Sequence, residues 1–169
     1  MVCLTHMLGR PVISARTGNR LGRVSHVVVD LTHRRIVGFR LRAGGLFDRR
    51  WRLAAMEDVA NVSLDAVIVP DDVALREDEW EEGHLPLGGR SAMVVGTDGA
   101  QVGRLADVSA ELETGALLDL VVTPSKMRLG ETAEPFTVPV EQVSRSNARG
   151  VVVEAVRAPR GPNAVHRPA

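Results

Sequence analysis

The chain has 169 residues, of which 44% are hydrophobic and 25% charged, and its 21 basic and 21 acidic residues balance. This composition excludes a disordered protein, and no apolar run approaches the roughly 20 residues that span a bilayer. The lone Cys3 excludes an internal disulfide and a cysteine-based zinc site. Since the opening segment also differs from a signal peptide, we expect a cytoplasmic protein.

The first predicted strand begins at Pro11 and ends at a turn that contains Gly18. A long second strand follows over residues 21–31, where the valines do not keep a single period of two. This change of phase predicts a β-bulge near Ser25 and His26. A bulge bends a strand, and bent strands allow small barrels to close.

The second turn leads into a third strand over residues 36–42, which alternates cleanly. Val37, Phe39 and Leu41 are predicted to point inward, so Arg40 and Arg42 are predicted to lie on a solvated outer face. A fourth strand begins near Trp51, and its inward phase is left open. Short runs at 57–59 and 66–69 complete the first half.

A second copy of this pattern follows about eighty residues later. Its turn glycine is Gly99, its inward set is Leu118, Leu120 and Val122, and Gly115 stands where the first copy has Arg34. If the turn geometry is shared, Arg34 is left-handed at a cost of about 1–2 kcal/mol; otherwise the two turns differ in type.

The repeat predicts an all-β fold with two small domains, over residues 1–70 and 86–155. An acidic linker over residues 71–85 is predicted to form a short helix or helical turn, and the tail over 156–169 is expected to be disordered. Domains of this size bury limited surface, so we expect the halves to pack together or to oligomerise.

These residues, in this order, resemble the PRC-barrel domain. The first copy carries the resemblance through Gly9-Arg10-Pro11-Val12, Thr17-Gly18, Leu21-Gly22-Arg23-Val24, Ile36-Val37-Gly38-Phe39, Glu57-Asp58-Val59 and Val67-Ile68-Val69. The second carries it through Gly89-Arg90, Asp98-Gly99, Val102-Gly103-Arg104-Leu105, Glu113-Thr114-Gly115, Val138-Pro139 and Val151-Val152-Val153.

The family includes the cytoplasmic part of the photosynthetic reaction centre H subunit and the C-terminal half of a ribosome maturation factor. The resemblance implies two small, bent antiparallel β-barrels that act as docking modules without catalysis. It supplies no set of functional residues. The reaction-centre role is not carried over because no transmembrane helix is predicted.

Signatures of catalysis are missing from the sequence, and neither a cofactor nor a small-molecule substrate is expected. His26 and His33 flank one turn, but the second copy has Asp107 and Thr114 there, so no metal site is predicted. Asp30 is interpreted as a structural acid that accepts backbone N–H groups of the turn.

An arginine-rich strand and loop is the one feature that suggests binding. The candidate partner-binding residues are Arg40, Arg42, Phe47, Arg49, Arg50 and Arg52. The first hypothesis is an adaptor that binds another protein or itself through this face. The alternative is an RNA- or ribosome-associated factor that uses the same arginines to bind phosphates.

Overall fold

β-Strands make up most of the chain, as predicted. The computed structural model describes residues 1–44, 50–125, 134–154 and 156. The strands are β1 Val2–Cys3, β2 Pro11–Ser14, β3 Arg20–Asp30, β4 Arg35–Ala43, β5 Arg50–Ala55, β6 Asn61–Val62, β7 Val67–Val69, β8 Leu75–Glu77, β9 His84–Leu87, β10 Met93–Gly96, β11 Gln101–Ala110, β12 Leu117–Pro124, β13 Phe136–Pro139, β14 Val143–Asn147 and β15 Gly150–Val153. Short 3-10 turns occur at Leu4–Met7, Met56–Asp58, Asp72–Ala74 and Val140–Gln142.

The strands form two sheets with a common order. The first sheet runs β6-β7-β2-β3-β4-β5-β8, and the second runs β14-β15-β10-β11-β12-β13. The prediction of purely antiparallel barrels is wrong in one respect, since β2 pairs in parallel with β7 and β10 with β15. In each sheet the chain therefore returns to place a short late strand, β7 or β15, beside β2 or β10. Strand pairing among the described residues does not close either sheet into a barrel.

The two sheets exchange strands. The segment before the first half supplies a strand to the second sheet, and the segment before the second half supplies a strand to the first sheet. The N-terminal β1 pairs with β11, and β9 pairs with the end of β3. The N-terminal exchange is secured by the buried carboxylate of Asp107, which accepts the backbone N–H of Thr5 at 3.1 Å and also its hydroxyl. Buried side chains from both sheets form one continuous core, which confirms that the halves pack together.

Bulges set which side chains face that core. The predicted bulge is present, because the β3–β4 register shifts between Val24 and His26. A further shift between Val28 and Val29 changes the inward phase at the start of β4. Ile36 is therefore buried instead of the predicted Val37, while Phe39 and Leu41 are buried as expected.

The same shift of the inward phase occurs in the second half. The register of β11 against β12 shifts between Ser109 and Ala110, and Leu117 is buried where Leu118 was predicted. Leu120 and Val122 are buried as expected. Because both halves show the same shift, the alternation rule fails for the same geometric reason in each.

Gly22 and Gly103, each of which precedes an arginine at equivalent positions of the two halves, have a steric role. A Cβ atom on Gly22 would lie 2.6 Å from the carbonyl oxygen of Arg42, and one on Gly103 would clash with the carbonyl of Thr123. The close approach of β3 to β4, and of β11 to β12, therefore requires a residue without a side chain.

The second turns of the two halves meet. Arg34 has a φ of 56° and Gly115 a φ of 73°, so the first of the two alternatives, a left-handed Arg34, is the one observed. The backbone N–H of Ile36 donates to Gly115 O at 2.8 Å, and that of Leu117 donates to Arg34 O at 3.0 Å. These reciprocal bonds tie the halves together.

Only the beginning of the acidic linker is helical. Asp71 caps the Asp72–Ala74 turn by accepting the N–H groups of Val73 at 3.0 Å and Ala74 at 3.2 Å. The chain then forms β8, because the edge of β5 is available for pairing. Residues 78–83, here called the strap, connect β8 to β9 over the outward side of the first sheet. The predicted disordered tail lies outside the described residues, apart from Val156.

Candidate docking surface

Arg40 is held by the strap on the outward side of β4. Its Nη2 and Nε atoms both lie 2.7 Å from Oδ2 of Asp78. The Arg40 side chain is 17% exposed and that of Asp78 is 11% exposed. The prediction of a solvated Arg40 is therefore wrong, because the strap covers this part of the sheet.

Two indole rings contact the same guanidinium group. The Cζ atom of Arg40 lies 3.9 Å from the ring centroid of Trp51 and 5.0 Å from that of Trp80. Arg42 adds a second cation, with its Cζ 4.7 Å from the Trp51 ring. Cation–π attraction strengthens as the cation loses water, so the covered Arg40 gains more from it than the exposed Arg42.

His26 completes this group on the neighbouring strand. Its ring centroid lies 5.9 Å from that of Trp51. Burial lowers the pKa of His26 from 6.5, and the charge of Arg40 lowers it further, while Asp78 acts in the opposite direction. Nδ1 of His26 has no hydrogen-bond partner among the described residues. A neutral ring near the Arg40 cation is the expected result near pH 7.

The strand register that was left open is now defined. Arg42 of β4 lies opposite Trp51 of β5, and Arg40 lies opposite Leu53. Trp51 and Leu53 therefore point outward, on the same side as the two arginines. Ala54 takes the inward position opposite Phe39, as Val138 does opposite Leu120.

The predicted binding residues are not all on one face. Arg40 and Arg42 lie together, but Arg50 and Arg52 pair with Ala43 and Leu41 and belong to the opposite side of β5. Phe47 and Arg49 lie outside the described residues. The sequence reasoning missed Asp78 and Trp80 because it treated the linker acids as a separate region. A tryptophan within an acidic stretch was the available signal.

The two histidines of the first turn do not form a common site. His33 Nδ1 lies 2.7 Å from Asp30 Oδ2, whereas His26 lies beside Trp51. Asp30 accepts the backbone N–H of His33 at 3.0 Å, which confirms its structural role. Burial would raise the pKa of Asp30, but the backbone and side-chain hydrogen bonds from His33 lower it overall.

A groove lies between the strap and the sheet. It has a volume of about 600 Å³, and Val37, Leu53, Ala55 and Met56 line it from the sheet side. A smaller depression of about 360 Å³ shares Trp80 and His84 and reaches Asn147 in the second half. Within the described ranges, no cluster of three or more histidine, cysteine or acidic side chains is arranged to hold a metal ion.

Comparison with known families identifies the first half. A PRC-barrel domain is found at residues 4–76, which span the first sheet from the Leu4–Met7 turn into β8. Domains of this family generally mediate protein interaction and assembly and are generally not catalytic. No curated protein matches the chain. In the part of the chain that the structure describes, no helix has the length and hydropathy of a membrane span.

Proposed function

We propose that the chain is a non-enzymatic tandem PRC-barrel adaptor that binds another protein in the cytoplasm. Its units are residues 1–70 and 86–155, joined by the linker at 71–85. The proposal extends the family match from the first half to the second. Support for this extension comes from the common strand order, the matching bulges and the left-handed turn in each half.

A cation–aromatic patch formed by Arg42 and Trp51 is the observation that carries the docking proposal. Arg42 is exposed, Trp51 is half-buried, and the two side chains are in contact. Tryptophan and arginine are enriched among the residues that dominate binding energy at protein interfaces. The ion pair with Asp78 and the contact with Trp51 hold Arg40 behind the patch. This ordering lowers the conformational entropy that binding would cost.

The RNA-binding alternative receives less support from the charges around the patch. Arg40 is neutralised by Asp78, and the exposed strap residues Glu79 and Glu81 line the groove on the same side of the sheet. These acids would repel a phosphate backbone. RNA binding would also weaken steeply with salt, in proportion to the phosphates contacted, so a salt titration separates the two functions.

The test compares two substitutions at equivalent outward positions. Arg42→Glu reverses the patch charge, and Thr123→Glu places the same acid on β12 of the second half as a matched control. Cross-linked complexes captured from the native cell would be identified by mass spectrometry and rebuilt from purified components. We expect a reconstituted complex that survives Thr123→Glu and is weakened at least about tenfold by Arg42→Glu. Equal binding by both variants would refute docking through the patch.

A further inference from the structure

The groove under the strap has an apolar floor. Val37, Leu53 and Ala55 come from the outward side of β4 and β5, and Met56 follows directly after β5. Trp80, which is 36% exposed, lies on the strap side of this groove. The floor and the indole together offer an apolar surface for an aliphatic side chain.

The lining of the groove has an excess of acidic groups. Glu57, Glu77, Glu79 and Glu81 line it, against Arg35 and Arg76. Arg76 is already paired, with Nη1 at 2.7 Å from Glu57 and Nε at 2.5 Å from Asp58. Arg35 lies 3.9 Å from Asp30. The two strap acids Glu79 and Glu81, which flank Trp80, therefore give the groove a negative potential that attracts a cation.

His84 adds a second indication of a ligand. Its side chain is 8% exposed and lines the groove. Nδ1 accepts the backbone N–H of Glu81 at 3.2 Å, which leaves the proton of the neutral ring on Nε2. Nε2 has no hydrogen-bond partner among the described residues, and the carboxylate of Glu81 is 4.0 Å away. A buried donor of this kind is normally paired.

We propose that this groove binds an extended segment of the partner protein in which a basic residue adjoins an aliphatic one. The aliphatic side chain contacts Val37, Leu53 and Trp80. The basic side chain lies toward Glu79 and Glu81, and a backbone carbonyl of the segment accepts the Nε2 proton of His84. This inference rests on the proposed docking function and names the chemistry of the partner.

The test uses dye-labelled, end-capped pentapeptides and fluorescence anisotropy with the full chain. Gly-Arg-Leu-Arg-Gly is the probe, Gly-Glu-Leu-Glu-Gly reverses its charge, and Gly-Arg-Ser-Arg-Gly removes its aliphatic side chain. We expect the probe to bind at least about tenfold more tightly than either relative. Similar affinity for all three peptides would overturn the proposal.

A matched pair of protein variants locates the binding. The double variant Glu79→Gln/Glu81→Gln removes two charges from the groove and should weaken the probe about fivefold. Glu113→Gln/Glu141→Gln removes two exposed charges from the second half and should leave binding unchanged. Equal weakening by both pairs would mean that net charge, rather than the groove, attracts the peptide and would overturn the proposal.

The two proposals can fail separately. If Arg42→Glu abolishes the partner complex but the probe does not bind, docking stands and the groove proposal is wrong. If the probe binds through Glu79 and Glu81 while Arg42→Glu has no effect on the partner, the groove is a peptide site and the patch is not the docking surface.

Discussion

The two sheets share their strand order but differ on their outward sides. In the first sheet, Arg40 and Arg42 face Leu53 and Trp51, and β8 pairs with the edge of β5. In the second sheet, Val121 faces Thr137, and β13 has no corresponding outer neighbour among the described residues. The inward side is constrained by a common core, whereas the outward side is free to diverge. Binding chemistry is therefore expected where the halves differ.

The exchanged strands β1 and β9 couple the folding of the two halves. Because β1 completes the second sheet and β9 completes the first, neither half retains all its strand pairs if the other unfolds. The common core has the same effect. Both features predict one cooperative unfolding transition rather than two.

The largest expected effect tests this coupling. Phe39 is fully buried in the first sheet, and Leu120 occupies the equivalent position in the second. Phe39→Ala is expected to lower the free energy of unfolding by about 3–5 kcal/mol, and Leu120→Ala by about 2–5 kcal/mol. Each variant should shift a single transition in urea, monitored by both circular dichroism and tryptophan fluorescence.

Tryptophan fluorescence reports only on the first half and the linker, because Trp51 and Trp80 are the two tryptophans of the chain. Circular dichroism reports on both sheets. If Leu120→Ala shifts the dichroism transition but leaves the fluorescence transition unchanged, the halves unfold independently and the comparison must treat them as separate domains.

The next effect measures how far the outward sides differ. Arg40→Ala would leave the largely covered carboxylate of Asp78 without its cation, so we expect a loss of about 2 kcal/mol in the free energy of unfolding. Val121→Ala at the equivalent outward position should cost less than about 1 kcal/mol. Urea denaturation of both variants measures the difference.

A double-mutant cycle separates the ion pair from the packing of Arg40 on the indole rings. Asp78→Ala in the Arg40→Ala background should cost little further stability, because its partner is already absent. Additive losses from the two substitutions would show that the ion pair contributes nothing and that stacking holds the strap.

The contrast between Arg34 and Arg40 shows what the sequence could predict. The bulge near His26 depends on neighbouring residues, so periodicity was sufficient to predict it, and the internal repeat reduced the turn at Arg34 to two alternatives. The pairing of Arg40 with Asp78 joins residues 38 positions apart. The exchanged β1 and β9 also depend on contacts between distant segments, and local patterns carry no information on such pairings. The cation–aromatic patch was therefore located only in part.

The turn where the halves meet provides a smaller test. Gly115→Ala requires a left-handed alanine, and its Cβ would lie 3.3 Å from Cε of Met56, so we expect a loss of about 1–2 kcal/mol. Arg34→Gly removes the same strain from the first half but increases the entropy of the unfolded chain. A net gain of about 0.5 kcal/mol is expected in thermal unfolding. Equal losses from both changes would mean that the Arg34 side chain itself stabilises the turn.

The last effect concerns the acid at the start of each of these turns, and it depends on pH. Burial would raise the pKa of Asp30, but the hydrogen bonds from His33 lower it overall from 3.8, so folding favours the ionised carboxylate. Its contribution is complete above the ordinary pKa and is lost as the pH falls through the folded-state pKa. Asp30→Asn should therefore cost about 1 kcal/mol at neutral pH, and this deficit should shrink below about pH 4.

Urea titrations of the wild type and Asp30→Asn at neutral and acidic pH measure this change in the deficit. Arg35 and the histidines His33 and His84 face the carboxylate and are present in both proteins, so the difference between the two isolates Asp30. Glu111→Gln changes the equivalent acid of the second turn. Glu111 is exposed, and among the described residues its side chain accepts a hydrogen bond only from the Thr114 hydroxyl. A deficit for Asp30→Asn that stays constant with pH would show that folding does not favour the ionised form of Asp30.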